Sequence, residues 1–259
     1  MEDKYSNLVT VLTSDTVQHK SWRLDENNDY VLLEKSFSKY FSFNEVAILD
    51  IHDLHALLFE NQYKRNNCFI RGKITESAYS EQLAGYKIRR LINEKVEDNI
   101  VYKKTITDSP KNWIMLDIDN FPTPSNVNLR LDTGREKAVE CFIDTLHESL
   151  RNASYVCQFS NGMFLESKKI KAHLWFMLSE SYSCAVLKPW FEKHCEGVDP
   201  CVFRPAQILY TSNPRFVNTR DPLKDDRIFL REKADSEVKL PKKEIINAYL
   251  NYNQKKDNT

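Results

Sequence analysis

Residues 113–119 read WIMLDID: an apolar run whose only interruption before Ile118 is Asp117. A short run of this kind is what a buried strand shows. Residues two apart in a strand point to the same side, so Asp117 and Asp119 share a face. Two carboxylates side by side in an apolar setting repel each other and are costly to remove from water. A divalent cation between them relieves both effects, because hard cations prefer carboxylate oxygens. The plainer alternative is a strand end, where both side chains reach solvent or cap the following turn.

Downstream, Thr133-x-x-Glu136 reads as a capping box opening a helix. Val139, Phe142, Ile143, Leu146 and Leu150 then form one apolar stripe. Residues 154–159 are the next strand, SNGMFLESKK (160–169) a loop, and KAHLWFML (171–178) an alternating strand. That alternation turns Ala172, Leu174 and Phe176 to the core, and Lys171, His173 and Trp175 the other way. Residues 183–195 suit a helix that Pro189 should start or kink, and residues 208–210 a further strand. The tail from 233 is charged, with a short amphipathic helix near 242–250. Upstream, residues 8–12 are a strand, and 18–24 and 30–34 a hairpin around DENND. Leu54, Leu57 and Leu58 mark a helix at 53–62, and residues 68–71 another strand. Residues 73–112 are polar, basic and poorly periodic, and read as loops and short strands. The expectation is an α+β protein: an N-terminal α+β module over residues 1–112, a catalytic module over 113–232, and a charged tail over 233–259.

Hydrophobic residues at 41% and charged residues at 29% suit a globular chain of this length. The net charge of zero hides a pattern: balances of −6, +5, −3 and +4 over residues 1–60, 61–112, 113–200 and 201–259. Two basic segments thus alternate with acidic ones, and local positive charge is what phosphate contact requires. Arg71, Lys87, Arg89 and Arg90 are the candidate contacts in the first basic segment; random surface scatter explains the same numbers as well. The six cysteines show no Cys-x-x-Cys spacing. Cys184, His194, Cys195 and Cys201 could bind zinc in principle, but the spacing argues against it. MEDKYSNLV does not read as a signal peptide, and no apolar run is long enough for a bilayer. The simplest expectation is a cytoplasmic chain with reduced thiols and no membrane partner.

Lys171 and His173 on one strand face can both donate to phosphate oxygens, and Asp199 lies in VDPCVFRPAQILY (198–210), beside Arg204. Taken in order, Asp-x-Asp, then Lys-x-His, then a further Asp, the chain resembles the archaeo-eukaryotic primase superfamily. The resemblance is to its primase-polymerases of phages, plasmids and integrating elements. MLDID matches the first motif and KAHLWF, preceded by FSNGM, the second; Asp199 stands for the third. FIRGK (69–73) and DPCVFRPAQ look like the same branch, so the likeness spans about residues 69–216. It implies a catalytic core with an RRM-like sheet-and-helix module and an active site in the cleft beside the N-terminal module. It implies that Asp117, Asp119 and Asp199 hold two Mg²⁺ or Mn²⁺ ions and that His173 contacts the triphosphate. Ser160, Lys171 and Arg204 would be further nucleotide contacts. Single-stranded DNA template, nucleoside triphosphates and a replicative helicase domain or subunit would be the partners; no Walker A motif occurs in this chain. The family often has Ser where Lys171 stands, which leaves that phosphate contact open. If the likeness holds, the three carboxyl groups should lie roughly 4–7 Å apart, line an open cleft with Lys171 and Arg204 on its wall, and be harder to ionise.

Two other readings compete. MLDIDN also resembles the nucleophile strand of haloacid-dehalogenase-like phosphohydrolases, with Asp117 as nucleophile, Asp119 as acid/base and Asp225-Asp226 as a late acidic pair. That reading meets Phe121 where Thr or Val is expected and leaves KAHLWF unexplained. A non-catalytic DNA-binding replication initiator would have no use for a carboxylate set, since carboxylates repel phosphates.

Overall fold

The computed structural model describes residues 6–35, 37–165, 169–224 and 227–257. The N-terminal strands are β1 (Leu8–Thr13), β2 (Lys20–Leu24), β3 (Tyr30–Lys35) and β4 (Tyr40–Ala47). β2 and β3 form the expected hairpin. Helix α1 (Ile51–Asn61) is opened by Asp50, whose carboxylate accepts from the amides of His52 and Asp53, both at 2.9 Å. Its Leu54 and Leu58 are fully buried, as the spacing requires. There follow β5 (Asn67–Ile70), β6 (Lys73–Ile74), helix α2 (Glu76–Leu83), β7 (Ile88–Arg89), β8 (Lys95–Glu97), β9 (Ile100–Tyr102) and β10 (Ile106–Thr107). Asp98 and Asn99, both at positive φ, make the two-residue turn between β8 and β9.

The second half comprises β11 (Lys111–Phe121), α3 (Asp132–Ile143), α4 (Glu148–Arg151), β12 (Tyr155–Phe159), β13 (Ile170–Tyr182) and α5 (Cys184–His194). A 3₁₀ turn (Pro200–Phe203), β14 (Leu209–Tyr210), β15 (Arg215–Val217), β16 (Ile228–Arg231) and α6 (Lys242–Asp257) complete it. The sheet order is β11-β13-β12-β16, with every pair antiparallel. β11 and β12 therefore run parallel with β13 between them, and α3 lies in the connection: a split βαβ unit.

A second sheet has the order β14-β5-β1-β4-β7. One of its faces supplies Val9, Val11 and Phe69 to the same core as the β11–β13 sheet. Phe69 meets Trp175 edge-on at 6.1 Å, and Trp113 lies 6.0 Å from Trp175. This corrects the expected outward Trp175: the face of β13 opposite its α3 side is also buried, under the N-terminal sheet. The other face of that sheet carries Leu12, Phe41, Phe43, Cys68 and Ile70 and is closed by Ile74, Ala78, Ile88 and Ile106. Residues 73–112 thus cover a sheet. Their helix α2 escapes a periodicity search because Ala78 is its one buried residue.

Other local expectations shift. Leu131, not Thr133, occupies the cap of α3 and makes no side-chain cap bond, so the capping box does not form. Asp132 instead pairs with Arg135. α5 runs through Pro189, and its first turn is held by Asp108, which accepts from the amides of Cys184 and Ala185, each at 2.9 Å. α6 is longer than expected, and with Val238 and Leu240 it belongs to the core through Ile245 and Ala248. The expected division at 112/113 is crossed repeatedly: β14 pairs with β5, β15 with β2, and the core is continuous across it. No helix among the described residues is long and apolar enough to cross a membrane.

Candidate functional site

Cross-strand pairing assembles the centre of the site. Asp117 stands opposite His173 and Asp119 opposite Lys171 in the β11–β13 ladder. All four lie on the face that, further along the two strands, is sealed at Trp113 and Trp175. A β-bulge between Asp119 and Phe121 ends the regular pairing there. Asp117 Oδ1 lies 3.6 Å from His173 Nε2, and Asp119 Oδ1 lies 3.6 Å from Lys171 Nζ. The Asp117 side chain is 29% exposed and that of Asp119 65%, so the strand emerges into solvent at this point.

Burial pushes the Asp117 carboxyl above the ordinary carboxylate range; the charge of His173 pulls it down, and those of Asp119 and Asp199 push it up further. The expected upward displacement is therefore present at Asp117, with desolvation ahead of mutual repulsion as its cause.

His173 is oriented by a third strand. Gln158 of β12 offers Oε1 at 3.2 Å to His173 Nδ1, while its own amide nitrogen donates to Thr211 O at 2.6 Å. With that nitrogen committed, the Gln158 carbonyl faces His173. Nδ1 then carries a proton, and Nε2 is turned to Asp117. Gln158 is the single strongly polar residue in the otherwise apolar, fully buried strand YVCQF. That is the signal by which the sequence could have revealed it.

Asp199 is brought to the same place by main chain. Its amide donates to Asp117 O at 3.1 Å, next to a bridge between Ile118 and Val198. Its Oδ1 accepts from the Cys201 amide at 2.8 Å and caps the 3₁₀ turn, so the Asp-Pro pair is a turn and a neighbour of Asp117 at once. Among the described residues, the group of three potential ligands whose atoms all lie within 4.8 Å of one another is elsewhere.

Two hollows meet at Asp119. One, of about 150 Å³, is lined by Asp117, Asp119, Gln158, Ser160, His173 and Tyr210, together with His19 and Lys20. The other, of about 540 Å³, holds Phe121, Thr145, Glu196 and Asp199. Ser160 belongs to the first. Its carbonyl accepts from buried Arg227 at 2.8 Å, and Arg227 is gripped by both oxygens of Asp221, at 2.7 and 2.8 Å. His19, Lys20 and Tyr210 were not anticipated, because they come from the N-terminal strands and from the edge strand β14.

Several expected contacts lie elsewhere. Arg204 is exposed and lines a separate hollow with Ile92, Asp108 and Gln207, not the wall beside Asp117. Arg71 is 2% exposed. It donates to the carbonyls of Trp113 (3.0 Å), Lys111 (3.1 Å) and Tyr182 (2.7 Å), so it cannot reach a template. Arg90 donates to Ala206 O and lies over the Phe41 ring, which commits it to the fold. Arg89 pairs with Glu97 at 2.5 Å and stacks on Tyr102, and exposed Lys87 pairs with Asp15. Asp225 and Asp226 lie outside the described residues.

Compared with protein-family models, curated proteins and solved structures, the chain gives no match.

Proposed function

We propose that the protein is a template-dependent nucleotidyltransferase of the primase-polymerase kind, joining nucleotides on a single-stranded DNA template in the replication of a phage or mobile element. The observation that carries this reading is the register of β11 and β13, which sets Asp117 and Asp119 directly opposite His173 and Lys171. An acidic pair and a basic pair on one open sheet face suit a triphosphate: the acids for cations, the bases for phosphate oxygens.

The donor set fits Mg²⁺ or Mn²⁺. It is all oxygen, and Asp117 carries a burial penalty that a cation would offset. Asp117, Asp119 and the free oxygen of Asp199 would hold the ions, which when bound neutralise the triphosphate and lower the barrier to attack by a 3′-hydroxyl. His173, locked by Gln158, presents Nε2 towards the reacting phosphates. Lys171 leaves Asp119 to meet the same charge. Ser160 closes the smaller hollow, where the incoming nucleotide lies, and the wider hollow beside Asp199 receives the primer end. A helicase domain or subunit is the partner that such an activity calls for.

The rival phosphohydrolase reading gives His173 and Lys171 no task. The test is primer synthesis and extension on single-stranded DNA, with ribo- and deoxynucleotides supplied separately and with Mg²⁺ or Mn²⁺. Incorporation that disappears in Asp117→Asn supports the proposal. Phosphate release from small esters without incorporation would replace it with the rival.

A further inference from the structure

On the side of the molecule formed by α4, α5 and α6, three side chains converge that the proposed reaction does not use. His147 caps α4, His194 is the last residue of α5, and Glu244 sits in the first turn of α6. One ligand atom from each lies within 4.8 Å of the other two. Glu244 Oε2 is 3.6 Å from His147 Nε2 and 3.9 Å from His194 Nε2. His194 Nε2 is enclosed yet makes no hydrogen bond among the described residues.

We propose that His147, His194 and Glu244 form a zinc site that fastens α6 to the body of the protein. Two imidazoles and a carboxylate are a common zinc set, with a water completing the tetrahedron. For bonds of about 2.0–2.1 Å, tetrahedral ligand atoms lie about 3.3 Å apart, so Glu244 needs to close by about 0.3 Å on His147 and about 0.6 Å on His194, and the two imidazole nitrogens, within 4.8 Å of each other, by up to about 1.5 Å. The surroundings already orient the ligands. His147 Nδ1 lies 3.3 Å from the Ser149 amide it caps and 2.9 Å from Ser149 Oγ; binding zinc through Nε2 requires Nδ1 to give up the cap and donate its proton to the hydroxyl instead. Trp190 stacks on His194 with ring centres 5.3 Å apart and donates its indole N–H to Glu244 at 3.4 Å. The sequence hides the site because its ligands are 47 and 50 residues apart, on elements that meet only in the fold.

The test uses chelator-stripped full chain titrated with Co²⁺ and then Zn²⁺. Co²⁺ at this site should give the strong visible absorption of tetrahedral coordination and quench Trp190, and one equivalent of Zn²⁺ should displace it. Glu244→Gln and His194→Ala should each weaken binding by roughly tenfold or more, whereas Asp117→Asn should leave it intact. Glu244 is exposed, so Glu244→Gln should fold normally, which circular dichroism checks. Absence of the tetrahedral signal, or its persistence at full affinity in both variants, would overturn the proposal and leave the cluster an ion pair between helices.

Discussion

Arg71→Met separates a structural arginine from a template contact. The buried guanidinium is shared among three carbonyls, those of Trp113, Lys111 and Tyr182, and lies 3.4 Å from Cys184 Sγ. Methionine preserves most of the volume and removes the donors. Each buried carbonyl left without a partner costs about 1–3 kcal/mol, and loss of the unneeded buried charge returns part of that. A net loss of roughly 3–5 kcal/mol follows, which for a chain of this size lowers Tm by roughly 6–20 °C. The assay is thermal unfolding alongside single-strand binding measured well below the transition. The expected result is a large fall in Tm with unchanged affinity per folded molecule. An unchanged Tm with weakened, less salt-dependent binding would refute the reasoning and restore Arg71 to the template.

Asp117→Asn should cut incorporation by at least roughly 10³-fold, since a bound cation contributes several kcal/mol to such a transition state, while Tm in chelator stays level or rises. Because burial raises the Asp117 carboxyl in the folded state, the native protein holds its proton more tightly than the unfolded chain. Its ionisation therefore costs stability at neutral pH, and the cost vanishes as pH falls through the raised value towards the ordinary carboxylate range. The Tm advantage of Asp117→Asn should accordingly be largest near neutrality and shrink on acidification; an advantage that grows in acid would contradict the burial argument. Gln158→Met should lower kcat/KM for nucleotide by roughly tenfold by releasing the His173 ring, with template affinity unchanged; equal losses in both would show a general loosening instead. Arg90→Ala should lower Tm and leave the salt dependence of single-strand binding unaltered, and a slope flattened by ~0.7 would show that Arg90 touches phosphate after all.

The acidic strand and its partner were legible because a single period governs both. WIMLDID and KAHLWF carry the strand pattern in their own residues, and their pairing needed only neighbouring strands. Asp199 was legible by analogy but not by physics, since what fixes it beside Asp117 is a main-chain bond that no side chain announces. Arg71, Arg90 and Arg204 misled because charge in a sequence says nothing of burial: the first two satisfy carbonyls within the fold and the third faces another hollow. Trp175 misled for a related reason. Alternation assigns two sides to a strand, but it cannot tell whether the second side meets water or another sheet. α2 and the contributions of His19, Lys20 and Tyr210 were out of reach, because each depends on which distant segment the N-terminal sheet packs against.

The return of β14 to β5 and of β15 to β2 has a practical consequence for anyone wishing to shorten the protein. A fragment ending near residue 112 would present the bare edge of β5 and uncover Phe69, an invitation to aggregate. A fragment beginning there would strip the cover from Trp113 and Trp175 and strand two short segments without their sheets. Neither piece is a smaller version of the whole. Truncation can be tried only from the ends inward, and a graft of the acidic strand into another scaffold would have to bring along residues from both halves of the chain.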